Sequence, residues 1–444
     1  MKRTLNKETI KYLGEKVRVS GWVNSRRDHG GIVFLDLRDR SGLLQIVCSS
    51  KLVKDIKEEY VLEIVGKIGK RPDKMINLEL ETGKIELKAE KISVLAATQT
   101  LPFEIKDLKV SLPVLFDYRP LTLRNKKVKA IFKVQEELIK NFRKIMKDLE
   151  FTEFQAPIIV PTATEGGAEL FPIKYFKHKA FLAQSPQLYK QIMVGVFEKV
   201  FTVTHAFRAE PSVTTRHLCE YVSLDSEMGF IDSWEELMDT CEIVINNVLL
   251  GLSKNCQEEL KLFKASISKT EKFPRLKMRE AQKIILKRTK RDNTKEPDLE
   301  PEDEKEICRW AKEKHKSDFV FITHYPTKKR PFYTFPDPKD PNYTLSFDLL
   351  YKGLEIVTGG QRINDYEQLV KNTEKWGNKI KDFKFYLQAF KYGMPPEGGF
   401  CLGAERLVKQ VLNLENVKEA SLFPRDMGRI DQKLSVLQPK KKKK

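Results

Sequence analysis

Five short stretches of alternating apolar and polar residues follow one another in the first hundred positions, and they restrict the fold more than any other sequence feature. Glycine and charged residues separate them. Successive side chains of a strand point to opposite faces, so each stretch is typical of a strand with one buried face. Five such strands predict a small β-barrel, with a β-sandwich as the alternative. The stretches span residues 17–23, 32–37, 43–47, 61–65 and 85–94.

A long amphipathic helix is predicted next. Asn125 is a good helix N-cap, and from Lys126 to about residue 150 apolar side chains recur three or four positions apart. Beyond it strands and helices interleave, and residues 291–306 are expected to form an exposed loop. We therefore expect an α+β protein, with a barrel domain in 1–105, a proline-containing hinge or linker in 106–125, a main domain in 126–438 and a basic tail in 439–444.

The charge balance favours a polyanionic partner. Lys and Arg number 81 against 62 Asp and Glu, a net charge of +19. Such a charge attracts nucleic acids at long range, although a generally basic soluble protein is the alternative. The six cysteines are scattered without a C-x-x-C pair, which argues against a zinc site or a disulfide framework. The polar start and the absence of a long apolar run predict a cytoplasmic protein that does not span a membrane.

Polar residues cluster around two arginines in the middle of the chain. Arg208 and Glu210 precede a short loop, and Arg216, His217 and Leu218 follow it. A strand–loop–strand hairpin would bring the two guanidinium groups to one pocket, where they could bind a phosphate or carboxylate. A surface hairpin with salt bridges is the alternative.

Two further clusters combine glycines with charged side chains. Gly403 precedes a predicted helix with Arg406 in its first turn, and a helix N-terminus favours anions. Glu355 and Thr358 lie on a predicted strand that ends near Arg362, and a carboxylate beside a hydroxyl can hold Mg²⁺. Taken alone, the first could be a structural turn and the second a buried strand.

In this order, the clusters resemble the three motifs of the class II aminoacyl-tRNA synthetases. Pro157, after the long helix, is similar to the first motif, which forms a dimer interface in that family. Arg208 with Glu210 matches the second motif, and Gly403-Ala404-Glu405-Arg406 matches the third. The resemblance implies an antiparallel-sheet catalytic domain, a homodimer, ATP as a substrate and Mg²⁺ as a cofactor.

The resemblance also assigns roles at the ATP site. It implies catalytic roles for Arg208, Glu355 and Arg406, with Mg²⁺ held by Glu355 and Thr358. The ATP-binding residues implied are Arg208, Glu210, Arg216, His217, Leu218, Glu355, Gly403, Ala404, Glu405 and Arg406.

The predicted barrel resembles the OB-fold anticodon-binding domain of the aspartyl, asparaginyl and lysyl enzymes. Within that group, Ser185-Pro186-Gln187-Leu188-Tyr189-Lys190 is similar to the aspartyl type. A substrate carboxylate calls for fixed cations, which Lys190 and Arg362 would supply, whereas asparagine would leave them unpaired. The expected function is therefore aspartate–tRNA ligase on tRNA-Asp, with asparaginyl-tRNA synthetase as the alternative. The aspartate-binding residues implied are Glu165, Gln187, Lys190, Arg208, Asp225, Thr358 and Arg362.

In the barrel, Arg26, Phe34 and Gln45 match positions at which the family binds the anticodon, and Glu86 is a further match. An aromatic ring can stack a base while an amide reads its edge. A histidine matching His29 is associated with relaxed anticodon reading in bacterial relatives, so the resemblance extends the expected tRNA partners to tRNA-Asn. The catalytic half is more similar to archaeal and eukaryal enzymes. A tRNA-independent amide-forming enzyme and a non-catalytic RNA-binding relative remain open at this point.

Overall fold

The structure is a computed structural model and describes residues 1–163, 170–211, 213–267 and 272–437. Contacts divide the chain into two units, Met1–Lys109 and Val110–Lys444. Among the described residues, no helix combines the length and apolar character needed to cross a membrane.

The first unit is a closed β-barrel, as the alternating stretches predict. Its inner face is filled by aliphatic side chains such as Val19, Leu35, Ile46 and Ile64, which have no exposed surface. The barrel closes in the order β1-β2-β3-β5-β4, which excludes the β-sandwich. Its strands are β1 (Lys16–His29), β2 (Ile32–Arg38), β3 (Leu43–Ser49), β4 (Val61–Lys70) and β5 (Ile85–Ala96).

The second unit is built on a mostly antiparallel sheet. Within the described residues this sheet has eight strands in the order β12-β13-β16-β17-β18-β11-β10-β6, and two smaller sheets, β7-β9-β8 and β14-β15, accompany it. The strands are β6 (Thr152–Glu153), β7 (Ile159–Val160), β8 (Pro172–Tyr175), β9 (His178–Leu182), β10 (Lys199–Phe207), β11 (Glu220–Gly229), β12 (Arg275–Lys277), β13 (Phe319–Thr323), β14 (Pro336–Asp337), β15 (Asp340–Thr344), β16 (Ser346–Tyr351), β17 (Leu354–Gln361) and β18 (Glu397–Gly403).

The predicted long helix is α3, and Asn125 caps it by accepting the N–H groups of Lys127 and Val128. The helices of the described residues are α1 (Leu112–Asp117), α2 (Arg119–Thr122), α3 (Lys126–Asp148), α4 (Gln187–Phe197), α5 (Glu235–Asn255), α6 (Gln257–Leu262), α7 (Met278–Thr289), α8 (Pro301–His315), α9 (Tyr366–Lys375), α10 (Ile380–Lys391), α11 (Ala404–Val411) and α12 (Leu434–Leu437).

The two faces of the large sheet differ in chemistry. On one face Leu224, Phe347 and Leu402 pack into a core formed with α3, α5 and α11. Because neighbouring residues of a strand alternate, Asp225, Asp348 and Cys401 come to the opposite face. That polar face, rimmed by loops and by α4 and α8, carries the candidate site.

Two stretches, one predicted as a linker and one as an exposed loop, contain helices. The segment 106–125 includes α1 and α2, and Arg119 fixes α2 by donating hydrogen bonds to the carbonyl oxygens of Glu419, Ser421 and Leu422. Within 291–306, the expectation of an exposed loop is wrong from Pro301 onward. There α8 begins, because proline suits the first position of a helix and acidic side chains fill the first turn.

Candidate active site

A cavity of about 620 Å³ opens on the polar face of the large sheet. A second cavity adjoins it, and Arg208, Glu355, Thr358 and Cys401 line both. Lys190 and Arg362 line the first cavity only, whereas Arg216 and Arg406 line the second. Apart from Ala404, the described residues predicted for an amino acid or for a nucleotide therefore line these two adjoining cavities, called here the first and the second compartment.

The first compartment contains a buried network of opposite charges. Lys190, on α4, is 1% exposed, and its Nζ lies 3.0 Å from Asp225 and 3.1 Å from Glu227. Nε of Arg362 donates to the other oxygen of Glu227 over 2.7 Å. Burial opposes the charge of Lys190, but Glu227 and Asp225 outweigh it and raise its pKa. Both cations therefore stay charged and are held in place before any substrate arrives.

An amide network, which the sequence did not reveal, lies behind this compartment. Oε1 of Gln191 accepts hydrogen bonds from Nε2 of Gln187 at 3.0 Å and from the hydroxyl of Tyr386 at 3.2 Å. Nε2 of Gln191 donates to Glu397 over 2.9 Å. Gln187 and Gln191 are one helical turn apart on α4, and this spacing could have suggested the pair.

Gly399 on β18 lies directly beside Glu227. A Cβ atom at this position would lie 2.1 Å from the carbonyl oxygen of Ser226 and 2.3 Å from the carboxylate of Glu227. Only glycine allows β18 and the Glu227 carboxylate to approach this closely. This close approach at Gly399 therefore helps to keep the Glu227 carboxylate against Lys190 and Arg362.

Arg208 stands between the two compartments. It follows β10, and its N–H donates to the carbonyl oxygen of Cys219 at 2.9 Å, which closes the base of the hairpin. Its guanidinium carbon lies 5.6 Å from the centre of the Tyr221 ring, a cation–π distance. From this position Arg208 reaches the space shared by both cavities.

The second compartment is lined by groups suited to phosphates. Arg216 and His217 both line it, and Arg216 donates to the carboxylate of Glu304 on α8. Burial raises the pKa of Glu304 to about 7 against the opposing charge of Arg216. Burial and the charge of Arg406 lower the pKa of His217. Two further predicted residues, Glu210 and Leu218, line the same cavity.

The glycine-containing turn joins β18 to α11. Gly403 is the N-cap of α11, and Arg406 in the first turn lies 3.3 Å from the carboxylate of Glu355. Both carboxylate oxygens of Glu405 accept the N–H of Val222 at 3.1 Å. Ala404 does not line the second compartment, because its side chain faces the apolar core and is completely buried. Its contact with ATP stays a prediction.

Oxygen donors for a cation lie on two neighbouring strands. Asp348 on β16 is paired in register with Thr358 on β17. Glu355 precedes Thr358 on the same strand, beyond a shift in the β16–β17 register. Arg330 donates to Asp348 at 2.8 Å and to Thr358 at 3.1 Å. Burial disfavours ionisation of Glu355, yet the guanidinium groups of Arg406, Arg330 and Arg208 lower its pKa.

This donor set fits Mg²⁺, which prefers a few carboxylate oxygens completed by water and substrate phosphates. No cluster of three or more His, Cys, Asp or Glu side chains suited to a metal occurs among the described residues, so the protein would supply only part of the coordination. The sequence did not identify Asp348 or Arg330. An aspartate within the otherwise apolar strand Ser346–Tyr351 was the available signal.

On the barrel, the outer face of β1, β2 and β3 carries a second polar cluster. Arg27 pairs with both oxygens of Asp36 at 3.0 Å, and in register it lies opposite Phe34. Gln45 donates to Glu86 at 3.1 Å. An aromatic ring, an amide and a guanidinium group are thus presented side by side.

Arg26 does not belong to this cluster. A β-bulge between Val23 and Ser25 reverses the alternation, so Arg26 lies opposite Leu35 of the barrel core and pairs with Asp28 at 2.8 Å. The placement predicted for Arg26 is wrong, and Arg27 takes its position. His29 lies at the edge of the cluster, with its ring 5.6 Å from that of Phe34. Glu165 and the tail 439–444 lie outside the described residues.

Comparison with known families gives two matches. The family described as tRNA synthetases class II (D, K and N) matches residues 111–427. An OB-fold nucleic acid binding domain matches residues 17–95. Together they account for both units of the chain.

Individual relatives are similar over nearly the full length. An aspartate–tRNA(Asp/Asn) ligase of Deinococcus radiodurans is 42% identical, over 97% of this chain and 99% of that protein. An aspartate–tRNA(Asp) ligase of Pyrococcus furiosus is 39% identical, over 96% of this chain and 98% of the relative. The solved asparaginyl-tRNA synthetase of Pyrococcus horikoshii with asparaginyl-adenylate has a TM-score of 0.89 and 31% identity, covering 97% of this chain and 99% of the other.

Proposed function

This chain belongs to the class II tRNA synthetases of the aspartate, lysine and asparagine group, and from that membership we propose that it is the ligase for aspartate. It activates L-aspartate with ATP to aspartyl-adenylate and transfers the aspartyl group to the 3′ end of tRNA-Asp. The observation that carries the proposal is the pair of buried cations, Lys190 and Arg362, in the first compartment.

In the first step the α-carboxylate of aspartate attacks the α-phosphorus of ATP, and pyrophosphate leaves. No protein nucleophile is needed, so the protein contributes by positioning and by stabilising charge. Arg208 can bridge the attacking carboxylate and the α-phosphate, because it lines both compartments. Arg216 and Arg406 hold the outer phosphates, with His217 nearby.

Mg²⁺, when bound, neutralises charge on the phosphates. Glu355 and Thr358 are the residues proposed to hold it, and Asp348 joins them because it faces Thr358 across the strand pair. Arg330 orients two of these oxygen donors through its hydrogen bonds.

Selectivity for aspartate over asparagine follows from charge. The side-chain carboxylate of aspartate can take hydrogen bonds from Lys190 and Arg362, whereas a neutral amide would place its NH₂ group against a cation. Buried hydrogen bonds that asparagine cannot make therefore discriminate in favour of aspartate. Gln187 and Asp225 are proposed to face the α-amino group, since Asp225 lines the same cavity. The alternative, an asparaginyl enzyme, is favoured by the similarity to solved asparaginyl-tRNA synthetases.

For tRNA, we propose that the outer barrel face reads the anticodon. Phe34 is suited to stacking a base, Gln45 and Glu86 to reading base edges, and Arg27 to contacting the backbone. His29 lies at the edge of this cluster. Its match to relaxed relatives, and the similarity to aspartate–tRNA(Asp/Asn) ligases, support acceptance of tRNA-Asn as well. Charging assays with purified tRNA-Asp and tRNA-Asn should give aspartyl product on both, and the absence of product on tRNA-Asn would restrict the enzyme to tRNA-Asp. Assembly as a homodimer through the region of Pro157, in the cytoplasm where its substrates occur, completes the proposal.

The decisive test is ATP–pyrophosphate exchange with aspartate and with asparagine, each without tRNA. We expect exchange with aspartate and none above background with asparagine. Exchange with asparagine alone would support the asparaginyl alternative, and silence with both amino acids would reject catalysis of the first step by this chain alone. A Lys190→Met variant, which keeps most of the side-chain volume but removes the charge, should lose the aspartate signal. The exposed-site variant Lys129→Met serves as its control.

A further inference from the structure

Glu397 is a completely buried carboxyl group that none of the roles above uses. It begins β18 and lines neither cavity, but its backbone carbonyl accepts the N–H of Arg362 at 2.9 Å. Its Oε1 accepts a hydrogen bond from Gln191. Its Oε2 is buried and has no hydrogen-bond partner among the described residues.

Gln191 has its orientation fixed by three neighbours. Its Oε1 accepts from Gln187 and from Tyr386, so its NH₂ group points toward Glu397. If the Gln191 amide were turned over, its NH₂ group would face the NH₂ group of Gln187, and its oxygen would face Oε1 of Glu397. Glu397 therefore helps to set the orientation of Gln187, which lines the amino-acid compartment.

Charges around Glu397 are already balanced without it. Titratable or charged groups from four parts of the chain lie around Glu397. They are Lys190 on α4, Glu227 on β11, Arg362 after β17 and the Tyr386 hydroxyl on α10. The cations Lys190 and Arg362 are paired with the carboxylates of Asp225 and Glu227. A third ionised carboxylate would be a buried charge without a counter-ion, which is costly.

The direction in which the pKa of Glu397 is shifted agrees with this pairing of charges. Burial, and then the charge of Glu227, raise the pKa of Glu397 well above its ordinary value, although Gln191, Arg362 and Lys190 oppose the shift. The surroundings thus favour the un-ionised form of the Glu397 carboxyl group. A carboxylic acid in that form accepts at one oxygen and carries its proton on the other.

We propose that Glu397 is a positioning residue of the amino-acid pocket and works as an un-ionised carboxylic acid. It holds Gln191, and through it Gln187, without adding a negative charge beside Lys190 and Arg362. The two cations consequently keep their attraction for a carboxylate substrate. The inference rests on the proposed function, since it takes aspartate as the occupant of the pocket.

The test uses three variants of the full chain, Glu397→Gln, Glu397→Ala and the exposed-site control Glu258→Gln. Aspartate-dependent ATP–pyrophosphate exchange gives KM for aspartate and for ATP separately. Glutamine copies the neutral acid in shape and charge, so KM for aspartate should stay within about threefold of the unmodified protein. Alanine removes the anchor of Gln191 and should raise KM for aspartate about tenfold while KM for ATP stays within about twofold.

Infrared difference spectra supply a readout that a purely structural role would not change. The carbonyl stretch of a protonated carboxyl group should be present in the unmodified protein and the control, and reduced in Glu397→Gln. A more than about tenfold rise in KM for aspartate in Glu397→Gln would overturn the proposal, because an ionised group would then be required. An unchanged Glu397→Ala, equal rises in both KM values, or an unchanged carboxyl band would also overturn it. If the unmodified chain gives no aspartate-dependent exchange, the proposed function fails, and the infrared comparison still decides whether Glu397 is protonated.

Discussion

At the scale of single residues, Arg208 should separate adenylate formation from tRNA binding. Arg208→Ala removes the guanidinium between the two compartments, and we expect aspartate-dependent exchange to fall by a factor on the order of 10² to 10³, as for other groups that stabilise developing charge. Filter binding of tRNA-Asp should change little, because the barrel face that we propose reads the anticodon belongs to the first unit. Arg309→Ala, at an exposed position of α8, is the matched control. Normal exchange in Arg208→Ala would refute the role assigned to Arg208.

Glu405 should make stability depend on pH. Burial raises its pKa from 4.5 to about 8, even though the N–H of Val222 favours the ionised form. Between these values the folded protein keeps a proton that the unfolded chain releases, so the free energy of unfolding falls as the pH rises from about 4.5 to about 8. Below this window both states are protonated and the effect is absent.

The expected loss from this one group is on the order of a few kcal/mol across the window. Glu405→Gln removes the titration and keeps one acceptor for Val222. Denaturant unfolding of both proteins at pH 5 and pH 8 gives the comparison, with each tested at the same salt concentration. The free energy of unfolding of Glu405→Gln, relative to that of the unmodified protein, should increase as the pH rises. Parallel pH profiles of the two proteins would contradict the prediction.

The site residues that sequence reasoning located and those it missed differ for a physical reason. Arg208 and Arg406 were predictable because each belongs to a contiguous motif. Asp348 and Glu397 were not, since each contacts a residue of another element, Thr358 on β17 in one case and Gln191 on α4 in the other. Arg26 was confused with Arg27 because strand alternation gives the face of a residue only where no bulge interrupts it.

At the scale of secondary-structure elements, the start of α3 depends on one side chain. Asn125 accepts two N–H groups at 2.8 and 3.2 Å that would otherwise lack partners in the helix. Asn125→Ala should lower the free energy of unfolding of the second unit by about 1 kcal/mol. Urea unfolding followed by circular dichroism measures the change. Lys129→Ala, exposed on the same helix, should have almost no effect, and equal losses in the two variants would rule out capping as the cause.

Elements were predictable where one local pattern decided the structure. The barrel strands and α3 each carry their own periodicity, and both predictions are confirmed. Residues 291–306 carry mainly charges, which suit either a loop or a helix surface. The helix α8 forms there because residues such as Ile307 and Cys308 reach a distant apolar cluster against β13, and no local pattern reports such packing.

At the scale of the whole molecule, the net charge of +19 should make tRNA binding strongly dependent on salt. Each phosphate neutralised by Lys or Arg releases counter-ions, so the affinity for tRNA-Asp should fall by about 10- to 1,000-fold between about 50 and about 200 mM salt. Fluorescence titration across this range measures the slope. KM for aspartate is the internal comparison, because buried ion pairs are screened much less. A flat tRNA affinity would mean that charge contributes little to binding.

The contact between Gly399 and Glu227 has a consequence for how the amino-acid specificity of this enzyme can be altered. Any side chain at position 399 would displace the carboxylate that restrains both Lys190 and Arg362. A change of amino-acid specificity therefore cannot begin at position 399. A first substitution there would disturb the positions of Lys190 and Arg362 before a second substitution could compensate. Library design should hold position 399 constant and vary α4 instead, where Gln187 and Lys190 line the first cavity and each side chain can be changed singly.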